Sequence, residues 1–390
     1  MRVDKEYLNK LKKKYHVDEL WSWSKYNSYK IDSYGWMLKY IRHEKETKSS
    51  IYAVEGGIVH DIIEKFYNKE IEYKDMIDLY NNKLEEITLS GLKYNRKDDK
   101  ANKKTADKYE GSIKLFFNNH IPINSKVITE QFVTINVGGN IFQGYIDFLH
   151  KENDNYIITD WKTSTIYQGE KVKKESGQLV LYAESLIQRG IPIDKIKIRW
   201  DFLKYCNIEY QLKGKDKETG LNKTKETKAL RIKWVDKIKT NLKMWLKQEG
   251  YEELEIEDMV QTAIENNNLD NIPEAIRNKY KLTDCYVYIP LTQELIDELK
   301  EDIINTIKEI KEKEKDYEIY MEEGEERLAE ELFWIEIDDN NSFYFNNLCG
   351  YSSKVHKPYK EYLESLNIWV KKDDNKEIQD DELDDWLKDL

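Results

Sequence analysis

Two aspartates and a lysine interrupt apolar, β-rich segments near the middle of the chain. The stretch GYIDFLHKENDNYIITDWKT carries Asp147, Asp160 and Lys162. Residues two apart in a strand point to the same face, so Asp160 and Lys162 project together. A charged side chain on a strand that is otherwise suited to burial lowers the stability of the fold unless the charge is paired. Such charges are retained where they bind a ligand or take part in a reaction. We therefore interpret these side chains as parts of a reactive site.

The turns on either side of Asp147 predict which residues face each other across the strands. If Gly138-Gly139 is a two-residue hairpin turn, Glu130 lies opposite Asp147. If Asn153-Asp154 is the tip of the next turn, Asp147 lies opposite Asp160. Directly opposite residues have Cβ atoms about 4.5 to 5.5 Å apart. The three carboxylates and the lysine are therefore predicted to share one patch.

Such a patch indicates a metal site. Neighbouring carboxylates raise one another's pKa and cost stability unless a cation lies among them. Oxygen ligands without cysteine or clustered histidine favour Mg²⁺ or Mn²⁺ over zinc. Asp147, Asp160 and the backbone carbonyl after Asp160 are the predicted ligands, Glu130 supports them or binds a second metal, and Lys162 orients or deprotonates a water. This chemistry suits hydrolysis of a phosphodiester. The alternative is an exposed strand face with ordinary salt bridges.

The surrounding pattern predicts helices on both sides of a β-rich middle. The chain is helical in spacing to about Lys45, breaks at Gly56-Gly57, and is helical again over residues 72–120. Strand-like runs start at Val127, and a helix at Ser176–Gln188 precedes two further strands, KIKIRWDFLKY and NIEYQL. Strand, helix, strand is typical of an α/β fold.

Changes of pattern also give the expected domain boundaries. Residues 1–50 form an N-terminal helical segment, 51–235 the core, 236–372 a mostly helical region that folds back on the core, and 373–390 an acidic, disordered tail. The tail holds nine acidic residues against two lysines. It therefore accounts for −7 of the net charge of −12.

Asp147 in GYIDF, followed thirteen residues later by Asp160 in DWK, resembles the signature of the PD-(D/E)xK nucleases. The pattern is most similar to the RecB-like exonuclease branch, to which the AddB nucleases and the CRISPR-adaptation nuclease belong. The resemblance implies a restriction-endonuclease-like core, with a mixed central sheet flanked by helices and helical additions at both ends. It also implies exonuclease action on single-stranded DNA or DNA ends, in replication, recombination or repair.

Two helical motifs extend the resemblance. GIVHDIIE is similar to the G-x-x-H helix of this branch, which implies that His60 is a further metal ligand that favours Mn²⁺ or positions the scissile phosphate. QLVLYAESL is similar to the Q-x-x-x-Y motif, which implies that Gln178 and Tyr182 support Lys162 and contact the DNA strand. By themselves, a lone histidine on an amphipathic helix is more often structural, and Gln178 and Tyr182 could be a capping glutamine and a core tyrosine.

The ends of the chain depart from the branch members that carry a [4Fe–4S] cluster. SKYNSYKIDSYGWMLKYI resembles a segment that ends in Cys-Pro in those members, but Asp32 and Ser33 stand here. NNLCGYSSKVHKPYKEY retains Cys349, with Ser352 and Lys357 near the places of other cysteines. A cluster needs four thiolates, so none is expected. Packing of three aromatic residues could replace it: Phe343, Phe345 and Tyr359.

Composition excludes several classes of protein. The 390 residues are 39% hydrophobic and 35% charged, which is typical of a globular chain rather than a disordered one. No segment resembles a signal peptide or a membrane span, so we expect a cytoplasmic protein without a membrane partner. Basic runs at 213–239 and 96–108 either bind phosphates or are solvated loops.

Other functions remain open at this point. His60-Asp61 could be the pair of an HD phosphohydrolase, although the β-rich middle has no place in that helical fold. No GxxxxGK[ST] motif is present, so unwinding would need a separate helicase or single-strand-binding protein. The main alternative is a catalytically idle DNA-binding or interaction module on a nuclease fold.

Overall fold

The computed structural model describes residues 3–95 and 98–372, with side chains through residue 366. The predicted acidic tail, 373–390, and Arg96 of the second basic run lie outside the described residues. The strands are β1 (Val127–Val137), β2 (Asn140–Glu152), β3 (Asn155–Lys162), β4 (Ile196–Lys215), β5 (Asn222–Leu230) and β6 (Tyr280–Ile289). The helices are α1 (Lys5–Tyr15), α2 (Trp23–Ile31), α3 (Ser33–Tyr40), α4 (Ile51–Tyr67), α5 (Asp75–Leu89), α6 (Asp99–Asn119), α7 (Glu170–Glu175), α8 (Gly177–Ile187), α9 (Trp234–Gln248), α10 (Glu253–Asn266), α11 (Glu274–Arg277), α12 (Gln293–Glu322), α13 (Glu326–Glu331) and α14 (Lys357–Lys372).

The strands form a mixed sheet. Its order is β1-β2-β3-β4-β5, and β6 pairs with β4. β3 and β4 are parallel and are joined through α7 and α8, as the strand–helix–strand pattern predicts, whereas the other neighbouring strands are antiparallel. β4 has 20 residues, so it pairs first with β3 and then with β5 along one edge, and with β6 along the other. The predicted α/β class, a mixed sheet flanked by helices, is confirmed.

Alternating apolar residues on the strands bury both faces of the sheet. On one face, Phe142 and Trp200 pack with helices α2, α3, α8 and α12. On the other, Phe148 and Trp161 pack with α4, α5 and α6. A further cluster around Trp245 joins the far part of β4 and β5 to α9 and α10. Helices therefore cover the strands that carry Asp147 and Asp160 from both sides.

The predicted chain break at Gly56-Gly57 is wrong. Both glycines lie inside α4, which runs from Ile51 to Tyr67 without interruption. The helix tolerates them because a buried stripe that includes Ile51, Val59 and Ile62 packs it into the core. At Gly56 the absence of a side chain allows close packing, since an added Cβ would lie 3.2 Å from Thr163 Oγ1. The glycine lets the helix approach the end of β3 closely.

Two predictions about strands also need correction. The runs KIKIRWDFLKY and NIEYQL form one strand, β4, rather than two. The region 236–372, predicted to be mostly helical, supplies β6, whose residues pair with β4 from Ile198 to Tyr210. The sheet therefore extends beyond the predicted core boundary at residue 235. β6 is stabilised by pairing with residues of β4 that precede their partners by 70 to 91 positions, and local periodicity does not report such distant pairing.

The C-terminal segment folds back on the N-terminal helices. The backbone N–H groups of Thr47 and Lys48 donate to the carbonyl of Gly350 at 3.0 and 2.9 Å, and the Tyr351 hydroxyl donates to the carbonyl of Glu44. The rings of Phe345 and Tyr359 stack with centroids 6.0 Å apart. The two ends of the described chain are therefore held together by direct contacts.

Asp32 and His356 form a buried clasp at the centre of this fold-back. Asp32 caps α3 by accepting from the N–H of Gly35 at 2.8 Å, and His356 Nδ1 caps α14 by accepting from the N–H of Tyr359 at 3.1 Å. Because Nδ1 accepts, Nε2 carries the ring proton and donates it to Asp32 Oδ1 at 2.9 Å. Cys349 Sγ lies 4.0 Å from Asp32 Oδ2. The clasp joins the N-termini of two helices.

The sequence placed Asp32 and Cys349 correctly in this fold-back but missed the third member. His356, rather than Ser352 or Lys357, lies beside them, and one potential ligand atom from each of the three lies within 4.8 Å of the others. The proton on Nε2 is already donated to Asp32, so the arrangement acts as a hydrogen-bonded contact between the chain ends.

Among the described residues, no helix combines the length and the apolar character needed to cross a membrane.

Candidate active site

The two hairpins have the registers predicted from their turns. The β1–β2 register puts Glu130 and Asp147 at facing positions, and the β2–β3 register does the same for Asp147 and Asp160. The pairs that establish these registers are Thr129 with Phe148, Gln131 with Ile146, and Phe148 with Thr159. The residues of the two turns were therefore sufficient to predict that these three acidic positions face one another.

The strands are distorted at the same place. Glu130 has a φ of 47°, in the left-handed region that residues other than glycine seldom adopt. On β2, Ile146 packs into the core on the α8 face, whereas Phe148 packs into the core on the α4 face. Residues two apart share a face in a regular strand, so β2 rotates about Asp147. Local backbone strain of this kind is often found at functional sites.

Asp147 and Asp160 form a crowded pair of carboxylates. Their side chains are 15% and 5% exposed. Burial, and then the negative charge of Asp160, raise the pKa of Asp147 well above its ordinary value. Ionising both of these buried carboxylates has a high free-energy cost unless a positive charge lies beside them. The pair therefore has the electrostatic character of a cation site.

Lys162 supplies part of that counter-charge. Its Nζ lies 2.7 Å from Asp160 Oδ2. Burial by itself would lower the pKa of Lys162, but the charge and hydrogen bonding of Asp160 outweigh burial, and the net shift is upward. The ammonium group is therefore protonated at neutral pH. It can donate hydrogen bonds and stabilise negative charge, but in this state it is not a base.

His60 approaches the pair from α4. Its Nδ1 lies 3.7 Å from Asp147 Oδ2, and its ring packs edge-on against Trp161 with centroids 5.7 Å apart. Burial lowers the pKa of His60, and the positive charge of Lys162 acts in the same direction, although Asp160 opposes both. The imidazole is therefore neutral at neutral pH, which is the form that binds metals.

Gln178 and Tyr182 lie on the α8 side of the site. Gln178 Nε2 donates to the Tyr182 hydroxyl at 3.2 Å. Burial, offset by the Gln178 hydrogen bond and reinforced by the charge of Asp147, raises the pKa of Tyr182 to about 12, so its hydroxyl keeps its proton. The ring rests on β2 at Gly144, where an added Cβ would lie 2.9 Å from Tyr182 Cε1. Only glycine leaves room for the ring at that position.

These residues fit a hard divalent cation. Asp160 Oδ2 is buried and makes no hydrogen bond of normal geometry within the described part of the chain, although Lys162 Nζ is close. One lysine does not neutralise two aspartates. The donors are carboxylate oxygens and one neutral imidazole, which suit Mg²⁺ or Mn²⁺. A cation at this place would offset the remaining negative charge.

The sequence did not single out the cluster around Glu55, one helical turn before His60. The Glu55 carboxylate is fully buried and accepts hydrogen bonds from the hydroxyls of Tyr80 and Tyr94. Lys204 lies near it, and burial lowers the pKa of that lysine to about 8. The spacing could have predicted the burial of Glu55, because it lies four residues from both Ile51 and Val59, in the apolar stripe of α4.

The longer basic run becomes an arm of the sheet. It covers the end of β4, all of β5 and the start of α9, with exposed lysines at 213, 215, 217, 223, 225 and 228. β4 runs parallel to β3 and continues 13 residues beyond Phe202, which pairs with Lys162. The arm therefore extends from the end of the sheet that carries the candidate active site.

A mixed sheet that carries two aspartates and a lysine beside its parallel strand pair, with helices on both faces, defines a nuclease-like α/β fold. The family model of the PD-(D/E)XK nuclease superfamily matches residues 20–318, more than half of the chain. The chain therefore belongs to the PD-(D/E)XK nuclease superfamily. No curated protein and no solved structure matches it at a significant level.

Proposed function

We propose that the protein is a Mg²⁺- or Mn²⁺-dependent deoxyribonuclease that hydrolyses phosphodiester bonds. The observation that carries the proposal is the convergence of Asp147, Asp160 and Lys162 on adjoining strands, with His60 Nδ1 3.7 Å from Asp147. Membership of the nuclease superfamily supports the same chemistry.

Asp147, Asp160 and His60 are the proposed metal ligands. When bound, the ion supplies Lewis acidity toward a phosphoryl oxygen and lowers the pKa of its water. Asp160 holds Lys162 beside this place, and Glu130, which faces Asp147, supports it or holds a second ion. His60 contributes a neutral nitrogen, because burial lowers its pKa.

Lys162 and Tyr182 act on the substrate in this proposal. Protonated Lys162 orients the attacking water and stabilises the negative charge that develops on the phosphoryl oxygens. Tyr182 keeps its proton and accepts a hydrogen bond from Gln178, so its own O–H is left to donate to the DNA strand. Gln178 is a positioning residue, since it acts through Tyr182.

Exonuclease action on single strands or DNA ends is the finer proposal, and it rests on resemblance to the RecB-like branch. The lysine-bearing arm of β4 and β5 supports DNA as the substrate, since exposed lysines bind phosphates by charge. A cytoplasmic role in replication, recombination or repair is proposed on the same resemblance. A separate helicase or single-strand-binding protein would then supply open strands.

The test is cleavage of end-labelled linear DNA and internally labelled circular DNA, each single- and double-stranded, with Mg²⁺, Mn²⁺ or EDTA. We expect metal-dependent cleavage that is lost in Asp160→Ala and in Lys162→Ala, since each removes charge at the reacting centre. Asp154→Ala is the matched control, because Asp154 is an exposed aspartate at the turn of the same hairpin. Release of mononucleotides from linear DNA, with circular DNA intact, would support exonuclease action.

Full activity in Asp160→Ala would contradict the site assignment. DNA binding without cleavage in either metal would favour the catalytically idle module instead. Circular dichroism and thermal unfolding of each variant separate loss of chemistry from loss of fold.

A further inference from the structure

Arg199 is a buried cation whose contacts are all with neutral groups. The residue is 4% exposed on β4. Its Nε donates to Thr159 Oγ1 at 2.9 Å and its Nη1 to the Tyr288 hydroxyl at 2.8 Å, while the guanidinium lies 3.5 Å from the centre of the Tyr286 ring. Within the described residues no carboxylate lies within ion-pair distance of it. Burying an arginine without a counter-charge is costly.

The nearest acids do not supply that counter-charge. Asp284 accepts from Arg231 Nη2 at 2.6 Å and contacts His120 Nδ1 at 2.9 Å, so it is already paired. Asp201, two residues along β4 from Arg199, is buried next to Asp284. Burial, and then the charge of Asp284, raise the pKa of Asp201 to about 8, so it is mostly neutral at pH 7. Neither acid therefore forms an ion pair with Arg199, although the charge of Arg199 acts against the rise in the pKa of Asp201.

A cavity of about 280 Å³ lies against Arg199. Tyr286, His150 and Ser125 also line it. His150 is 4% exposed, and its Nδ1 is a buried atom with no hydrogen-bond partner in the described part of the chain. Arg199 and His150, a buried cation and a buried imidazole, thus line the same cavity. Glu152 also lines the cavity, but its side chain is exposed and solvent screens its charge.

We infer that this cavity binds a phosphate group, either as inorganic phosphate or as the terminal phosphomonoester of a nucleotide. Arg199 supplies the charge and further N–H donors, and neutral His150 and the hydroxyl of Ser125 supply uncharged donors. Thr159 directly precedes Asp160, and successive strand residues point to opposite faces. None of the candidate active-site residues lines the cavity, so the cavity is separate from that site and the inference does not rest on the proposed nuclease activity.

The experiment is calorimetric titration with sodium phosphate, in EDTA and at constant ionic strength, on the full chain. Arg199→Met keeps much of the side-chain volume and removes the charge, and Arg189→Met, at an exposed turn position, is the matched control. We expect wild type and Arg189→Met to bind one phosphate, and Arg199→Met to bind at least about tenfold more weakly. Thermal unfolding in chloride should show Arg199→Met no less stable than wild type, because an uncompensated charge is removed.

Phosphate also stabilises proteins by exclusion from their surfaces, so the difference between variants decides the question. Equal heats and equal thermal shifts in wild type and Arg199→Met would overturn the inference. If Arg199→Met does not fold, His150→Phe replaces it, and unchanged phosphate affinity in that variant would overturn the inference equally. Deoxyadenosine monophosphate, with deoxyadenosine as its control, separates the two sources: tighter binding than inorganic phosphate indicates a nucleotide, and equal binding indicates the free ion.

Discussion

At the scale of single residues, the candidate active site depends on one contact between a glycine and a tyrosine. Tyr182 reaches the two aspartates because its ring crosses β2 at Gly144, the place where an added Cβ would collide with it. Gln178, one turn earlier on α8, holds the hydroxyl at the other end. Gly144 at the ring and Gln178 at the oxygen thus fix the position of the Tyr182 hydroxyl, which is protonated at neutral pH.

Gly144→Ala should therefore impair catalysis more than folding. The methyl group displaces the Tyr182 ring by a fraction of an ångström to about 1 Å, and a shift of that size costs roughly tenfold to a hundredfold in rate. Single-turnover cleavage at saturating metal measures the effect. Gly57→Ala is the matched control, since nothing lies within 4 Å of its added Cβ. Equal rates in the two variants would show that Tyr182 does not act on the substrate.

At the scale of elements, α4 brings a metal ligand to the sheet and is anchored by a buried carboxylate. Glu55 ties α4 to Tyr80 on α5 and to Tyr94 in the connection to α6. Burial raises the pKa of Glu55 to about 7 from 4.5, even though the two tyrosine hydroxyls act in the opposite direction. The helix that carries His60 is therefore held by a group that resists ionisation.

This raised pKa predicts a pH dependence of stability. Glu55 binds its proton more tightly in the folded chain, so its contribution is fully present below pH 4.5 and is lost as pH rises through about 7. Relative to wild type, Glu55→Gln should gain up to about 3 kcal/mol of unfolding free energy over that range. Urea unfolding of both proteins between pH 4 and 8 measures the difference. A difference independent of pH would contradict the assignment.

Elements and registers differ in how far the sequence could predict them. Two short turns carried enough information for the register at Glu130, Asp147 and Asp160, because loop length and a glycine or asparagine at positive φ determine hairpin pairing. The uninterrupted α4 and the strand β6 were missed, because tertiary packing and distant pairing overrode the local pattern. The sequence could not predict that Arg199 and His150 line one cavity, because only the tertiary fold brings their strands together.

At the scale of the whole molecule, the sheet and its main core need elements that lie beyond residue 235. β6 and α12 follow residue 235, yet they supply eight side chains to the main core: the ring of Tyr317 and the seven smaller apolar side chains of Cys285, Val287, Ile289, Ile296, Ile303, Ile307 and Ile310. Burying such side chains is worth about 1.5 to 3 kcal/mol each. Their joint contribution, roughly 10 to 20 kcal/mol, is as large as the whole stability of a typical domain.

A fragment of residues 1–235 is therefore expected not to fold. Without β6 and α12 it should show no cooperative thermal transition and should bind hydrophobic dyes. A fragment of residues 1–372, which keeps every described element, is the control and should unfold cooperatively like the full chain. Differential scanning calorimetry distinguishes the two outcomes, and a cooperative transition in the shorter fragment would mean that residues 1–235 fold without β6 and α12.

The clasp between Asp32 and His356 has a consequence for the order of biosynthesis. The N-terminal helices leave the ribosome first, but the histidine that hydrogen-bonds to the cap of α3 is translated more than 300 residues later. Asp32 must therefore remain hydrated while the more than 300 residues between it and His356 are translated. Native closure of the N-terminal segment becomes one of the last events of folding, and a chain released early from the ribosome would lack the contact that joins its beginning to its end.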